Sequence, residues 1–196
     1  LATLPEIAAQ LHKAEPRIRF KGEIPLIFND HASTVLNVFS HVLKNSIDHG
    51  IETTDERLLK GKHEQGTITI QSELCDGGAR LHIFDDGKGL NIKRLREKLL
   101  EQGADPASLT PQRIAEGMFM SGVSTAETLT DISGRGVGMD AVKKYLNSIG
   151  CDIAIEIDGS ATIDQHFAPF KLVVTLDQSV CLFPCDTYQL PEVKIA

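Results

Sequence analysis

The sequence has no long apolar run, no surplus of basic residues and no closely spaced cysteine pair. Its apolar stretches fall far short of the ~20 residues that a membrane-spanning helix needs, and no signal peptide opens it. A formal net charge of −7 offers no general attraction to a phosphate backbone. Neither membrane insertion nor nucleic-acid binding is therefore expected of this stretch of sequence.

Cysteine is scarce as well as scattered. The four cysteines are Cys75, Cys151, Cys181 and Cys185, and no two of them form a C-x-x-C motif. A chain of 196 residues can build a core that needs no disulfide. We therefore expect reduced thiols that pack in the interior, as in a cytoplasmic protein.

What the sequence does contain is the composition of an ordinary globular protein, with 41% apolar and 24% charged residues. Its length fits one domain with a short appendage. We assign residues 1–178 to that domain. Residues 179–196 contain Pro184 and Pro191 and show no periodicity, which is typical of a tail or linker.

Hydrophobic periodicity predicts helices and strands that do not strictly alternate. A turn at Asp76-Gly77-Gly78 between two alternating runs predicts an antiparallel hairpin. The predicted fold class is therefore α/β, a two-layer sandwich with a mixed, mostly antiparallel sheet and helices on one face. The predicted helices are 29–49 with Asn29 or Asp30 as N-cap, a short one from Thr53 or Thr54 to Gly61, 91–102, one opened by Thr110-Pro111, and one from Gly138 to Ile149; the predicted strands are 17–21, 67–72, 81–84, 153–157 and 170–176.

Three polar side chains share one stripe of the first long helix. His41, Asn45 and Asp48 stand at i, i+4 and i+7, offset from the apolar stripe. An amide oxygen is a hard ligand of the kind that Mg²⁺ accepts, so Asn45 could be the sole protein ligand of an ion that also binds substrate phosphates. The alternative is an ordinary solvated helix face.

A second candidate is the D-x-G-x-G segment that follows the second hairpin strand. Asp85 could accept a hydrogen bond from an exocyclic amine such as that of adenine. Gly87 and Gly89 would let the backbone pass close to a flat ring. The alternative is a simple polar turn.

The third candidate is the glycine-rich loop from Gly134 to Gly138, which opens a helix and could wrap a phosphate chain with its amide groups. It has neither the spacing of a P-loop nor the context of a Rossmann fingerprint. Arg135 and Lys143 are candidate phosphate-binding cations, although Lys143 could equally be an exposed helix lysine. Residues 121–125 have the small, polar composition of a mobile loop.

In order and spacing, these segments resemble the sequence boxes of the CheA-type histidine kinases. HVLKNSIDHGIE (41–52) resembles the N-box, DDGKGL (85–90) the G1 box and SGRGVGMD (133–140) the G2 box. Residues 119–127 resemble the F-box and the serine-threonine segment of the ATP lid. The resemblance covers about residues 31–176 and implies the Bergerat fold shared by histidine kinases, Hsp90, DNA gyrase and mismatch-repair ATPases.

The resemblance also implies ATP and Mg²⁺ as ligands. It makes Asn45 the magnesium ligand, Asp85 the partner of the adenine amino group, and His41 a side chain near the transferred phosphoryl group, so that His41 and Asn45 are the catalytic candidates. The implied ATP-binding residues are Asn45, Asp48, His49, Asp85, Gly87, Gly89, Ser124, Thr125, Gly134, Arg135, Gly136, Val137, Gly138, Met139 and Lys143. Ser121 and Val123 depart from the family, which usually has proline and a second phenylalanine there.

The function that this resemblance implies is phosphoryl transfer from Mg-ATP to a histidine on another domain or chain, with a response regulator downstream. No acceptor, dimerisation or coupling domain is visible in the sequence. The expected location is the cytoplasm, as a free protein or as the cytoplasmic part of a membrane-bound sensor kinase. Two alternatives stay open: an ATP-hydrolysing conformational machine, whose relatives carry a glutamate in place of His41, and a non-catalytic nucleotide sensor.

Overall fold

The computed structural model describes residues 4–123 and 138–183. The helices in these ranges are α1 (Leu4–Gln10), α2 (Asn29–Asn45), α3 (Thr54–Leu59), α4 (Ile92–Glu101), α5 (Pro111–Glu116) and α6 (Met139–Asn147). The strands are β1 (Arg17–Lys21), β2 (Leu26–Ile27), β3 (Thr67–Cys75), β4 (Gly78–Asp85), β5 (Leu90–Asn91), β6 (Asp152–Ile157), β7 (Phe167–Ala168), β8 (Phe170–Asp177) and β9 (Cys181–Leu182). Single 3₁₀ turns occur at Pro106–Ser108 and Gly117–Phe119.

Five strands form one sheet in the order β1-β3-β4-β8-β6. Only β1 and β3 run parallel in it, and the other neighbours are antiparallel. The predicted hairpin is β3 and β4, closed at Gly77, whose φ of 86° is one that glycine adopts without strain. The mixed, mostly antiparallel sheet predicted from the sequence is thus confirmed.

Side-chain alternation places the core on one face of this sheet. Buried and more exposed residues alternate along β4 as far as Ile83 and along β6 as far as Ile155, as period-two strands require when one face is covered. The apolar stripes of α2, α4 and α6 supply the other half of the core, so helices and sheet make two layers that exclude water from between them. The predicted two-layer α/β fold class is confirmed.

Local capping signals gave three helix starts correctly. The Thr53 side chain accepts from the backbone N–H of Glu56, whose carboxylate in turn accepts from the N–H of Thr53, a complete capping box. Asn91 caps α4, and Thr110 caps α5. These starts depend on a few neighbouring residues, which is why the sequence alone reveals them.

The start of α2 differs from the prediction. Its N-cap is Phe28, without a side-chain cap, rather than Asn29 or Asp30. The backbone N–H of Phe28 donates to the carbonyl of Val180 at 2.9 Å, just after the short β2–β9 pairing. A tertiary contact therefore fixes where this helix begins.

The predicted continuous helix to His49 also differs from the structure. The α-helical geometry ends at Asn45, and a five-residue π-helical turn follows at Ser46–Gly50. The N–H of Ile51 donates to the carbonyl of Ser46, the i→i−5 bond of such a turn, at 2.8 Å. This wider turn carries Gly50 against the end of β4.

The predicted tail or linker, 179–196, begins with residues that pack against the rest of the domain. Val180, Cys181 and Phe183 are buried, and β9 pairs with β2. Four apolar residues in succession, 180–183, bury surface that would otherwise be exposed, and this outweighs the lack of periodicity. Residues 184–196, which include Cys185, lie outside the described residues, and Cys151 and Cys181 are buried free thiols.

Within the part of the chain that the structure describes, no helix is both long and apolar enough to cross a membrane.

Candidate functional site

The first candidate segment occupies the end of α2 and the π-helical turn. From there it contacts the second candidate segment on one side and the start of α6 on the other. At one side, the amide nitrogen of Asn45 donates to the sulfur of Met139, the first residue of α6, at 3.1 Å. At the other side, the carbonyl of Gly50 accepts from the backbone N–H of Lys88 at 2.9 Å. We call residues 85–89 the base loop, and the contact of Asn45 with Met139 at the start of α6 the helix junction.

Asp85 stands at the end of β4, where the base loop begins. Its carboxylate accepts from the backbone N–H of Gly87 at 3.0 Å. Burial raises the pKa of Asp85 above its ordinary value of 3.8, against the opposing effect of hydrogen bonds from Gly87 and Ser46. A partly buried, anionic acceptor suits an exocyclic amine, because the bond is stronger where water is excluded.

The glycines of the base loop are required by close backbone packing. A Cβ on Gly87 would lie 2.2 Å from the carbonyl oxygen of Gly50. Gly89 has a φ of 84°, and a Cβ there would lie 2.4 Å from the carbonyl oxygen of Ala168. Both contacts are shorter than any real Cβ contact, so a side chain at either position would displace the loop.

A recess of about 260 Å³ lies beside the base loop, closed on its far side by Pro169 and Phe170. Sequence reasoning missed these two residues, which precede and open β8; no local pattern marks them. A larger apolar cavity of about 380 Å³ lies between β1 and α2. It contains none of the predicted site residues.

Beneath the base loop lies a buried ion pair that sequence reasoning also missed. Arg57 of α3 is 1% exposed, and Glu52 is 4% exposed. Their side chains meet at 3.2 Å, and a second guanidinium nitrogen of Arg57 reaches the carboxylate of Asp86 at 3.0 Å. The loop is therefore fixed to α3 by charge as well as by backbone contacts.

At the helix junction, α6 begins at Met139 with Gly138 as its N-cap. Its first-turn amides and dipole favour negative charge at this end. With the amide nitrogen of Asn45 assigned to the sulfur of Met139, the amide oxygen points the other way. The amide group of Asn45 thus lies at the N-terminal end of α6, and its oxygen takes no part in the contact with Met139.

His41 lies one helical turn before Asn45 and is half-buried. Burial, followed by the nearby charge of Lys44, lowers the pKa of His41 below its ordinary value of 6.5. The imidazole is therefore neutral at pH 7, with one nitrogen able to donate and the other able to accept.

Asp48 and His49 lie on the π-helical turn, where His49 is exposed and Asp48 is half-buried. The Asp48 backbone carbonyl accepts from the ammonium of Lys13 at 2.8 Å. Burial, then the charge of Lys88, lowers the pKa of Lys13. Lys13 precedes all the motifs recognised in the sequence, and nothing local marks it.

Lys143, a candidate phosphate-binding cation, has its described partners in the sheet and in the 3₁₀ turn at Gly117–Phe119. Its ammonium donates to the carbonyl of Ile153 at 3.1 Å, lies 3.4 Å from the carboxylate of Asp152, and sits 5.1 Å from the ring centre of Phe119. It joins α6 to the edge of the sheet. Its role as a phosphate-binding cation stays a prediction, since most of the glycine-rich loop lies outside the described residues.

Six predicted site residues lie outside the described residues: Ser124, Thr125, Gly134, Arg135, Gly136 and Val137. The residues on either side of that gap are in contact. The hydroxyl of Ser121 donates to the carboxylate of Asp140 at 2.8 Å. Ser121 is one of the two positions that depart from the family pattern, and here it fills a structural role of its own.

In residues 4–123 and 138–183, no three His, Cys, Asp or Glu side chains come together as a metal site. A divalent ion at the helix junction would therefore take most of its ligands from water and from bound phosphate. A single amide oxygen beside a helix N-terminus fits Mg²⁺ held in that way.

The family model described as "Histidine kinase-, DNA gyrase B-, and HSP90-like ATPase" matches residues 30–172. The Chemotaxis protein CheA of Salmonella typhimurium is 36% identical over 148 residues, 74% of this chain and 22% of that protein. The Chemotaxis protein CheA of Bacillus subtilis is 42% identical over 139 residues, 68% of this chain and 21% of that protein. The chain thus spans only about a fifth of the length of these curated relatives.

Among solved structures, the chain is similar to the mycobacterial sensor histidine kinase MprB. The sequence identity is 15% and the TM-score 0.49, over 91% of this chain and 90% of that one.

Proposed function

Because the chain belongs to the family of histidine kinase-, DNA gyrase B- and HSP90-like ATPases, we propose that it is the catalytic ATP-binding domain of a CheA-like histidine protein kinase. The observation that carries the proposal is that the N-box segment contacts both other elements of the site. Its π-helical turn meets the base loop, and its last α-helical residue, Asn45, meets the first turn of α6.

In this proposal the base loop binds adenine. The carboxylate of Asp85 accepts a hydrogen bond from the adenine amino group, which replaces the water that burial has removed. Because Gly87 and Gly89 have no side chain, the loop backbone packs close to the carbonyl groups of Gly50 and Ala168, and the loop presents a flat edge to the base.

The phosphates then lie along the N-terminus of α6, whose amides and dipole favour negative charge. Asn45 would hold Mg²⁺ through its amide oxygen; the ion, when bound, neutralises phosphate charge. Neutral His41 can donate or accept a hydrogen bond at the transferred phosphoryl group without adding charge. Transfer of this kind needs positioning and electrostatic stabilisation more than covalent chemistry by the protein.

The proposed partner is a phosphoacceptor histidine on a separate domain or chain, in cis or in trans. A response regulator would receive the phosphoryl group afterwards. We place this function in the cytoplasm, in a free kinase or in the cytoplasmic part of a membrane-bound one. A histidine at position 41, where hydrolytic relatives have a glutamate general base, favours transfer over hydrolysis.

Calorimetry with ATP, with and without Mg²⁺, tests the proposal on the chain itself. We expect binding that magnesium strengthens. Absence of nucleotide binding would refute the proposal, and binding without any magnesium dependence would favour the non-catalytic sensor.

Autophosphorylation of the full-length protein tests the assigned roles. Asn45→Asp and Asp85→Asn should each abolish it while leaving the fold intact, as judged by circular dichroism. Full activity in either variant contradicts the role given to that residue. Steady phosphate release by the wild-type chain without an acceptor would favour the hydrolytic machine instead.

A further inference from the structure

The base loop is held from below by a network that begins with Arg57. This guanidinium donates to the backbone carbonyl of His63 at 2.7 Å, as well as to the carboxylates of Glu52 and Asp86. Asp86 is fixed again by the N–H of Thr67, which donates to its other carboxylate oxygen at 2.9 Å. A buried charge with this many partners is a rigid support, because every donor is matched to an acceptor.

Lys62 makes the closest approach from this network to the base loop. Its ammonium donates to the carboxylate of Glu52 at 2.9 Å, to the carbonyl of Asp86 at 2.8 Å and to the carbonyl of Gly87 at 2.9 Å. An ammonium has three donors, so these acceptors saturate it. One cation thus joins two successive loop carbonyls to a buried carboxylate.

Glu52 keeps that cation in place. Burial alone would raise the pKa of Glu52, but hydrogen bonds from Lys62, from its own backbone and from Lys60 outweigh it and hold the pKa at about 2. The carboxylate is therefore charged at neutral pH.

The geometry couples Lys62 to the adenine acceptor through a single peptide group. The carbonyl of Asp86 and the N–H of Gly87 belong to the same planar unit. Lys62 donates to the oxygen of this peptide group, the carbonyl of Asp86. The N–H of the same peptide group, that of Gly87, donates to the carboxylate of Asp85 at 3.0 Å. Rotation of the peptide plane would break both bonds at once, so the cation fixes the direction in which the Asp85 carboxylate faces.

We propose that Lys62, anchored by Glu52, is a positioning residue that orients the Asp85 carboxylate for the adenine amino group and so contributes to selectivity for an aminopurine. This inference rests on the proposed function. Lys62 touches no phosphate-binding element among the described residues. Its loss should therefore weaken base binding and leave the chemistry of the bound nucleotide unchanged.

The test compares Lys62→Met with Lys60→Met in the full chain. Lys60 also donates to Glu52, at 3.2 Å, but within the described part of the chain it donates to no carbonyl of the base loop, which makes it a matched control. We expect Lys62→Met to raise the Kd for ADP and for ATP by roughly tenfold, the effect of about one charge-assisted bond. Lys60→Met should change both values less than about twofold.

The selectivity of the protein for ATP over inosine triphosphate distinguishes a role of Lys62 in orienting Asp85 from a role in folding alone. Inosine triphosphate carries a carbonyl in place of the adenine amino group, so it gains nothing from a correctly oriented Asp85. The preference for ATP over inosine triphosphate should fall in Lys62→Met, while the kcat of the full-length kinase at saturating ATP stays constant. If Lys62→Met proves unstable, Lys62→Gln, which keeps one donor, serves in its place.

Two results would overturn the inference: wild-type affinity for ADP in Lys62→Met, or an equal loss for ATP and inosine triphosphate together with a lower melting temperature. Neither result affects the proposed function, provided that the wild-type chain binds ATP in the same titrations. Failure of the wild-type chain to bind refutes the proposed function itself.

Discussion

The two ends of the proposed nucleotide site are built differently. The base loop is joined to its surroundings by a buried guanidinium, an ammonium with three acceptors and two backbone contacts. At the helix junction, the bond that joins α2 to α6 is a weak one, from the amide of Asn45 to the sulfur of Met139. Within residues 4–123 and 138–183, the protein thus completes one end with its own charges, whereas the other end offers a helix dipole and the amide oxygen of Asn45.

This difference has an energetic meaning. A base is neutral and offers little binding energy of its own, so its site gains from being preorganised before the ligand arrives. A magnesium-bound triphosphate carries its own charges and ligands, and it can order a less constrained site as it binds. We therefore expect variants at the base loop to change stability or base affinity, and variants at the helix junction to change only what depends on phosphate or metal.

The largest effect is expected for Glu52→Gln, which breaks the support of the base loop. Removing one partner of a buried ion pair costs about 3 kcal/mol of unfolding free energy, and Glu52 is 2% exposed at its side chain. Because the folded pKa of about 2 lies below the ordinary 4.5, this contribution is present above pH 4.5 and is lost as the pH falls toward 2. Urea unfolding of both proteins should show their difference shrinking over that range.

Glu64→Gln is the matched control, since Glu64 is exposed and lies in the loop that follows α3. Its unfolding free energy should stay near that of the wild type at each pH. A constant difference between Glu52→Gln and the wild type from pH 7 to pH 3 would contradict the assignment of charge to Glu52.

The ion pairs of Arg57 with Glu52 and Asp86, which support the base loop, could not be predicted from the sequence, although much of the fold could. The cap at Thr53, one of two predicted alternatives, and the predicted turn at Gly77 depend on a few adjacent residues, and the structure has both. The pairing of Arg57 with Asp86 joins positions 29 residues apart. Only the folded chain brings them together, and no periodicity marks either residue.

The same distinction holds for the candidate site. Its motifs predicted that the N-box segment and the base loop belong to one site, and the two are in contact at Gly50, but the π-helical turn at 46–50 that contains Gly50 was not predicted. Lys143 was assigned by its place after the glycine-rich loop, whereas its partners Asp152 and Ile153 come from the next strand. Spacing along a chain predicts proximity within one element and little beyond it.

Asp85→Asn should have the next largest effect, a loss of nucleotide affinity. It should do so without lowering the stability of the fold, so it distinguishes the two roles of the base loop. Loss of the charged acceptor should weaken ADP binding by about a hundredfold, on the scale of a charge-assisted hydrogen bond. Because burial raises the pKa of Asp85, the fold disfavours its charged form. The variant should therefore melt at the same temperature as the wild type or higher, which calorimetric titration and thermal unfolding together would show.

Asp76→Asn, an exposed residue of the hairpin turn, controls for the general effect of removing one negative charge. It should bind ADP as the wild type does. Wild-type affinity in Asp85→Asn would remove the base loop from the site.

Asn45→Ala tests the helix junction, with a smaller effect that depends on the metal. We expect about a tenfold loss in the affinity that Mg²⁺ adds to ATP binding, and no change in ATP binding when magnesium is chelated. Asn37→Ala, an exposed asparagine on the same helix, is the control. Equal losses with and without magnesium would mean that Asn45 acts on packing, through its contact with Met139, rather than on the ion.

The smallest effect is expected for Ser121→Ala, at the contact that joins the two sides of the gap in the described residues. The hydrogen bond from Ser121, the largest cause, lowers the pKa of Asp140 below its ordinary 3.8. The variant should return the pKa of Asp140 toward 3.8 in an NMR titration, while ATP affinity changes less than about twofold, because this solvent-accessible bond adds little free energy. A large loss of affinity would instead show that the helix junction is as dependent on protein contacts as the base loop, and the contrast between the two ends would fail.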